Sequence, residues 1–301
     1  MSASLVGSEM CIRDRWSVLA LVAFTMLCGY FLTDVMSPLK PMLEKELLWD
    51  SLDYGIFTSA YGWFNVFAFM LIIGGIILDK MGVRFTGMGA CLLMVLGCGL
   101  KYYAISTTFA EGSTLLGMKT QVGMAALGYA IFGVGVEIAG STVSKIIVKW
   151  FKGKEMALAM GVEMAIARVG VAVVVLGSPV LANKISPIDV SRPVLVAVIL
   201  LAIGLICFIT YAFMDKKLER QMGESGEEKD DPFKLKDLKL IFSSKVFWLV
   251  ALLCVLYYSA IFPFQKYAIN MLQCNLGYTA EQAGWVFFVF PLGAAAITPI
   301  L

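Results

Sequence analysis

No histidine occurs among the 301 residues. Imidazole is the usual ligand of catalytic zinc and the usual base beside a serine or cysteine nucleophile, so His-ligated metal and Ser-His or Cys-His catalysis are excluded. The seven cysteines (Cys11, Cys28, Cys91, Cys98, Cys207, Cys254 and Cys274) form no C-x-x-C pair and mostly stand inside apolar runs, where a thiol is a small packing residue. Charge is scarce as well: 15% of residues are charged, against about 25% in soluble domains. With 24 basic and 22 acidic side chains the net charge is only +2, too little to hold a nucleic-acid backbone. No P-loop or comparable phosphate cradle is present, and neither an enzyme nor a bound cofactor is expected.

What abounds is apolar surface, 59% of residues against about 45–50% in soluble chains. This composition predicts an all-α polytopic membrane protein. Runs long enough to cross a bilayer, which takes roughly 20 apolar residues, stand at 16–36, 54–78, 85–105, 120–146, 156–182, 193–214, 246–270 and 281–301, giving eight spans. Thirteen basic residues fall in the even-numbered connections and five in the odd-numbered ones, which sets the amino terminus inside. Residues 1–15, ending Glu9-Met10-Cys11-Ile12-Arg13-Asp14-Arg15, contain no signal-peptide core and read as a non-native leader. The other end stops inside an apolar run, so a fragment is expected. The expected organisation is a six-helix bundle over 16–214, a disordered cytoplasmic linker over 215–244, and the first two helices of a second bundle over 245–301. A faint repeat supports two halves. Trp49-Asp50-Ser51-Leu52-Asp53-Tyr54-Gly55 opens span two and Tyr278-Thr279-Ala280-Glu281-Gln282-Ala283-Gly284 opens span eight, each with a pair able to cap a helix start.

Ionisable groups inside spans cost roughly 2.5–3.5 kcal/mol at the bilayer centre, so each needs a cavity or a partner. Glu137 lies fourteen residues before Phe151 and Arg168 fourteen after Lys154. At 1.5 Å of rise per residue both sit about 21 Å from the shared turn, near the midplane. Position alone leaves two readings open. The pair lines a substrate cavity, an arginine fork for a carboxylate and a glutamate for an ammonium at a separation of roughly 7 Å, the reach of a dipeptide; or it is a permanent salt bridge between helices. Glu163 and Lys145 are expected to pair near the inner face, and Asp34, near Pro38, to be a solvated helix end with an outer gate or a proton site as the alternative. Tyr54, Phe57, Tyr61, Trp63 and Asn65 of span two, with Tyr257, Tyr258, Phe262 and Gln265 of span seven, are candidate cavity walls. Pro263 is expected to break span seven locally. Gly128, Gly133, Gly135 and Gly140 allow helices to approach span four closely.

Between spans two and three stands Gly75-Ile76-Ile77-Leu78-Asp79-Lys80-Met81-Gly82-Val83-Arg84, which resembles the G-x-x-x-D-[RK]-x-G-x-R loop of the major facilitator superfamily. Further stretches, Val148-Lys149-Trp150-Phe151-Lys152-Gly153-Lys154-Glu155, Ala165-Ile166-Ala167-Arg168-Val169-Gly170 and Tyr257-Tyr258-Ser259-Ala260-Ile261-Phe262-Pro263-Phe264, with Tyr61-Gly62-Trp63-Phe64-Asn65, resemble its lysosomal dipeptide transporter branch. The resemblance implies a twelve-helix fold of which eight helices are present. It also implies dipeptide transport by alternating access, with Arg168 on the carboxylate and Glu137 on the amine, Tyr61, Trp63, Asn65, Tyr257 and Tyr258 around them, and Gly75, Asp79, Lys80, Gly82 and Arg84 gating. Glu163 departs from the branch, where a neutral polar residue is expected. The implied partners are a small-molecule or dipeptide substrate and the bilayer, with an accessory membrane subunit or a homodimer left open. The compartment is the cytoplasmic membrane of a bacterium or the lysosomal membrane of a eukaryote. Rival readings are a proton-coupled carrier of another small organic ion using Glu137 or Glu163, and a non-transporting membrane receptor or assembly subunit.

Overall fold

The computed structural model describes residues 12–298 apart from 111, 116, 152–154, 184–186 and 223–240. A chain in lipid has no water to satisfy its backbone, so apolar runs of this length fold as helices. The helices are α1 (Ile12–Asp34), α2 (Lys40–Glu46), α3 (Ser51–Ser59), α4 (Trp63–Phe67), α5 (Met70–Ser106), α6 (Thr120–Phe151), α7 (Met156–Asn183), α8 (Ser191–Met222), α9 (Lys245–Leu276) and α10 (Ala280–Ile297). Short 3-10 turns at Ser37–Leu39 and Ala60–Gly62 link α1 to α2 and α3 to α4. A two-strand antiparallel hairpin, β1 (Thr114–Leu115) with β2 (Met118–Lys119), joins α5 to α6. Seven of the helical stretches are long and apolar enough to cross a membrane.

Each expected span is largely helical over its described residues, with three departures from the expected outline. Span two is not one helix: it runs through α3, the 60–62 turn and α4, then Phe69 at φ 51° before α5 begins. Within α5 the helix is interrupted at Gly82 (φ 77°, ψ 171°), a conformation glycine adopts freely, so 70–81 completes span two and 83–106 is span three. α8 continues to Met222, so the first residues of the expected linker are helical, and residues 12–15 of the expected leader belong to α1. Residues 1–11, the stretch 223–240 and the turn at 152–154 lie outside the described residues. α9 stays helical through Pro263, so the expected local break is absent. The ring removes one backbone bond without unwinding the helix.

The repeat at the starts of spans two and eight is present in atomic detail. Asp50 accepts from the Asp53 amide while Asp53 accepts from the Asp50 amide, and Thr279 with Gln282 forms the same reciprocal capping box.

The core is centred on α6, packed between α5 and α3 on one side and α1 and α7 on others. Its contact with α5 is backbone on backbone: a Cβ added at Gly97 would stand 2.6 Å from the Gly128 oxygen, and one at Gly128 would stand 2.7 Å from the Gly97 oxygen. Gly133 lets the Tyr61 carbonyl approach α6 in the same way, a Cβ there meeting that oxygen at 2.3 Å, whereas Gly140 has ordinary space around it. α8 and α1 close the bundle, with Phe208 filling the space over Gly87. α9 and α10 lie against this bundle unevenly. Residues 246–262 of α9 are exposed or nearly so, and burial begins at Gln265, Ala268 and Ile269, which pack with Val171, Val175, Ala283 and Phe287.

Candidate functional site

The basic end of the bundle carries an ion network. Asp79 pairs with Lys145 at 2.7 Å, so Lys145 is bound across the α5–α6 junction and does not meet Glu163. Asp79 lies in the 70–81 helix and Lys145 on the last turns of α6, which explains why this carboxylate was the nearer one. Arg84 reaches Glu219 of α8 at 2.6 Å, and Lys149 reaches both Glu219 and Asp215, at 3.2 and 3.3 Å. Asp215 is fully buried and also accepts from the Trp150 indole at 3.1 Å. Arg84 and Asp79 therefore tie α5 to α8 and α6, while Lys80 is exposed and pairs with no described residue. Gly75 meets nothing that a Cβ would touch, and the role of Gly82 is the positive φ of the turn.

Partway along α6 and α7 stand Glu137 and Arg168. Both are half-buried, and no ion pair joins them. Each is instead positioned by a tyrosine. The Tyr61 hydroxyl donates to Glu137 Oε1 at 2.6 Å, and the Arg168 guanidinium lies 5.8 Å from the centre of the Tyr30 ring on α1. Tyr30 stands within electrostatic reach of Arg168, Glu137, Glu163 and, from α9, Tyr258. It is a neighbour of both charges of the predicted pair. Sequence inspection passed over it because a single tyrosine in an apolar helix has no distinguishing spacing. The break in span two helps here: the 60–62 turn brings the Tyr61 backbone onto Gly133 and turns its hydroxyl toward α6. Both amide atoms of Asn65, in the short α4, are buried and meet no partner among the described residues. Among the described residues the Trp63 indole donates back to the Ser59 hydroxyl, at 3.2 Å. Tyr257 and Tyr258 are exposed; Tyr258 stacks on Phe262 at 5.2 Å, and Tyr257 touches Tyr258 alone among the described ring contacts. Glu163 is buried on α7, without a recorded hydrogen bond.

The end opposite the basic one is closed by Asp34, Tyr54 and Phe57, expected from the sequence in other settings, together with Lys266 and Tyr129, which were not singled out. Asp34 is no solvated helix end: it is buried and bound to Lys266 of α9 at 2.6 Å. Lys266 also donates to the Thr33 carbonyl and to the Tyr129 hydroxyl. Tyr54 and Phe57, expected in a cavity wall, are core residues of this closure. Tyr54 donates to the Lys266 carbonyl and packs edge-on against Tyr267, while Phe57 stacks on Tyr129 at 4.9 Å. Gln265 is buried beside them in α9. Beneath lies a cavity of about 260 Å³ lined by Thr33, Thr58, Tyr61, Tyr129, Phe262 and Lys266 among others. Lys266 and the neighbouring Lys101 were legible as lysines inside apolar runs, a signal as strong as that of Asp34.

Comparison with known proteins follows this geometry. The sequence profile of the Major Facilitator Superfamily matches residues 19–301. Among curated relatives, the chain is 26% identical over 305 residues to the Lysosomal dipeptide transporter MFSD1 of Danio rerio, covering 96% of this chain and 61% of that protein. It is 26% identical over 297 residues to the protein of the same name from Homo sapiens, covering 96% and 60%. The Probable anion transporter 2, chloroplastic, of Oryza sativa subsp. japonica is 29% identical over 179 residues, 60% of this chain and 31% of the relative. The chain thus spans about three fifths of the length of the first of these relatives.

Proposed function

The chain belongs to the major facilitator superfamily and is a multi-pass membrane protein, and from that premise we propose that it forms part of a carrier that moves dipeptides by alternating access. The observation that carries the reading is the state of Glu137 and Arg168. Two opposite charges at one depth on neighbouring helices would, as a packing device, be joined to each other. Here each is held by its own tyrosine, and among the described residues no further hydrogen bond or ion pair engages either charged group. A guanidinium offers a planar fork to a carboxylate, and a carboxylate accepts from an ammonium, which matches the two ends of a dipeptide zwitterion. Similarity to proteins named as dipeptide transporters supports the same substrate class. Burial of Glu163 without a hydrogen-bond or ion-pair partner among the described residues favours one second reading, a proton-coupled carrier of another organic ion. In either case the basic end faces the cytoplasm by the charge bias.

Blocked peptides test the assignment on the full-length protein. Carboxy-amidated dipeptides should bind the wild type more weakly than free ones but lose little further on Arg168→Lys, and amino-acetylated dipeptides should behave likewise with Glu137→Gln. An unchanged ranking of free against blocked peptides in both variants, with only lowered thermal stability, would return the pair to a structural role.

A further inference from the structure

At the closed end, apart from the Lys40–Glu44 and Lys119–Asp53 pairs, Asp34 stands with two lysines, Lys266 and Lys101. Asp34 belongs to α1 and Lys266 to α9, so their 2.6 Å pair is a bond between the first six-span bundle and the helix that follows it. Lys266 Nζ lies 6.0 Å from the centre of the Tyr129 ring. On the same ring, at 4.8 Å, sits the ammonium of Lys101, which also lies 5.0 Å from the centre of Phe57. Lys101 is 1% exposed and forms no ion pair with any described residue. A buried ammonium held by aromatic faces alone is an expensive arrangement, because ring quadrupoles replace only part of its hydration. Nothing in the proposed substrate site uses it.

Separation of α9 from the bundle would take Lys266 away and leave Asp34 behind. Asp34 on α1, Lys101 on α5 and Tyr129 on α6 all belong to the same bundle and stay together. We propose that Asp34 is a two-position latch: it pairs with Lys266 while this end is closed and passes to Lys101 when the end opens, with the Tyr129 ring holding the waiting ammonium in both states. Lys101 is then a positioning residue for the open state. It spares Asp34 from standing unpaired in a low-dielectric wall, and the closed end is held by a bond that has a ready substitute. The latch rests on the alternating-access reading but not on the identity of the substrate.

The latch makes a prediction of opposite sign for two chemically identical changes. Lys266→Met and Lys101→Met each delete one buried positive charge. The first should favour opening and the second should favour closure, since it leaves the open state with an orphan carboxylate. Thr58 lines the cavity below the closure. In full-length protein with Cys274→Ser to remove a nearby exposed thiol, Thr58→Cys can be labelled by a membrane-impermeant maleimide added at the closed end of sealed vesicles. Lys266→Met should raise the labelling rate about tenfold and Lys101→Met should lower it by a similar factor, in the range of ordinary conformational coupling. Adding Asp34→Asn to Lys101→Met should abolish the slowing. If Lys101→Met does not fold, the comparison rests on Lys101→Arg, which keeps the charge and should label within twofold of the parent, and on Asp34→Asn, which should label as fast as Lys266→Met. Acceleration by Lys101→Met, or slowing that persists with Asp34→Asn, would overturn the latch. Equal labelling in every variant would overturn alternating access with it, whereas the blocked-peptide ranking is independent of both.

Discussion

The seam between α5 and α6 allows one side chain to be added at two neighbouring sites with opposite results. At Gly97 a Cβ would come within 2.5 Å of the Phe132 nitrogen and 2.6 Å of the Gly128 oxygen, both backbone atoms that cannot rotate away. At Gly99, two residues on, nothing lies within 4 Å. To restore an ordinary contact at Gly97→Ala the helices must part by about 1 Å, which forfeits a quarter to a half of each nearby dispersion contact. Overpacking of this kind costs about 1–3 kcal/mol. Gly99→Ala faces no clash and removes backbone freedom from the unfolded chain, a gain of roughly 0.5–1 kcal/mol. The two variants should therefore differ by about 1.5–4 kcal/mol, which at a few degrees per kcal/mol separates their melting temperatures by roughly 5–10 °C. Thermal melting followed by tryptophan fluorescence in detergent measures this. Because Gly128 lies across the same contact, adding Gly128→Ala to Gly97→Ala should cost less than the sum of the single changes. A Gly97→Ala protein that melts with or above the wild type would refute the close approach of these two helices.

Tyr61→Phe removes the hydroxyl that orients Glu137 and should weaken dipeptide binding about tenfold, the worth of a hydrogen bond to a charged group, while melting shifts little; unchanged affinity by calorimetry would detach Tyr61 from the site. Asp215→Ala leaves the buried Trp150 indole without its acceptor while Lys149 keeps Glu219 and should destabilise by about 1–3 kcal/mol, whereas Lys80→Gln, at an exposed position with no partner among the described residues, should melt within about 1 °C of the parent. Thr279→Ala deletes one half of the α10 capping box and should cost about 1 kcal/mol, visible as faster amide exchange in the first turn of α10. Protease added only at the face opposite the basic end of sealed vesicles should leave 223–240 uncut, and cleavage there would reverse the orientation.

Much of this protein could be read before any coordinates. Helical spans follow from composition alone, because lipid leaves the backbone no other way to satisfy its polar groups, and a run of apolar residues has the same consequence wherever it occurs. The equal depth of Glu137 and Arg168 was likewise a matter of counting residues from a turn, since helical rise is constant. Both capping boxes were legible because their partners are three residues apart. What counting along the chain could not decide was which distant groups meet. Whether Glu137 and Arg168 bind each other or two tyrosines depends on the rotation of α6 and α7 about their axes, and that is set by packing at Gly133 and along α1, not by spacing. The break in span two has the same origin: its residues form helix on both sides, and the turn at 60–62 accompanies the approach of the Tyr61 carbonyl to α6. Lys145 chose Asp79 over Glu163, and the buried Asp34 chose Lys266 over water, because the partner of a charge comes from whichever helix packs beside it. Charges 232 residues apart in sequence become neighbours only when α9 seats on α1.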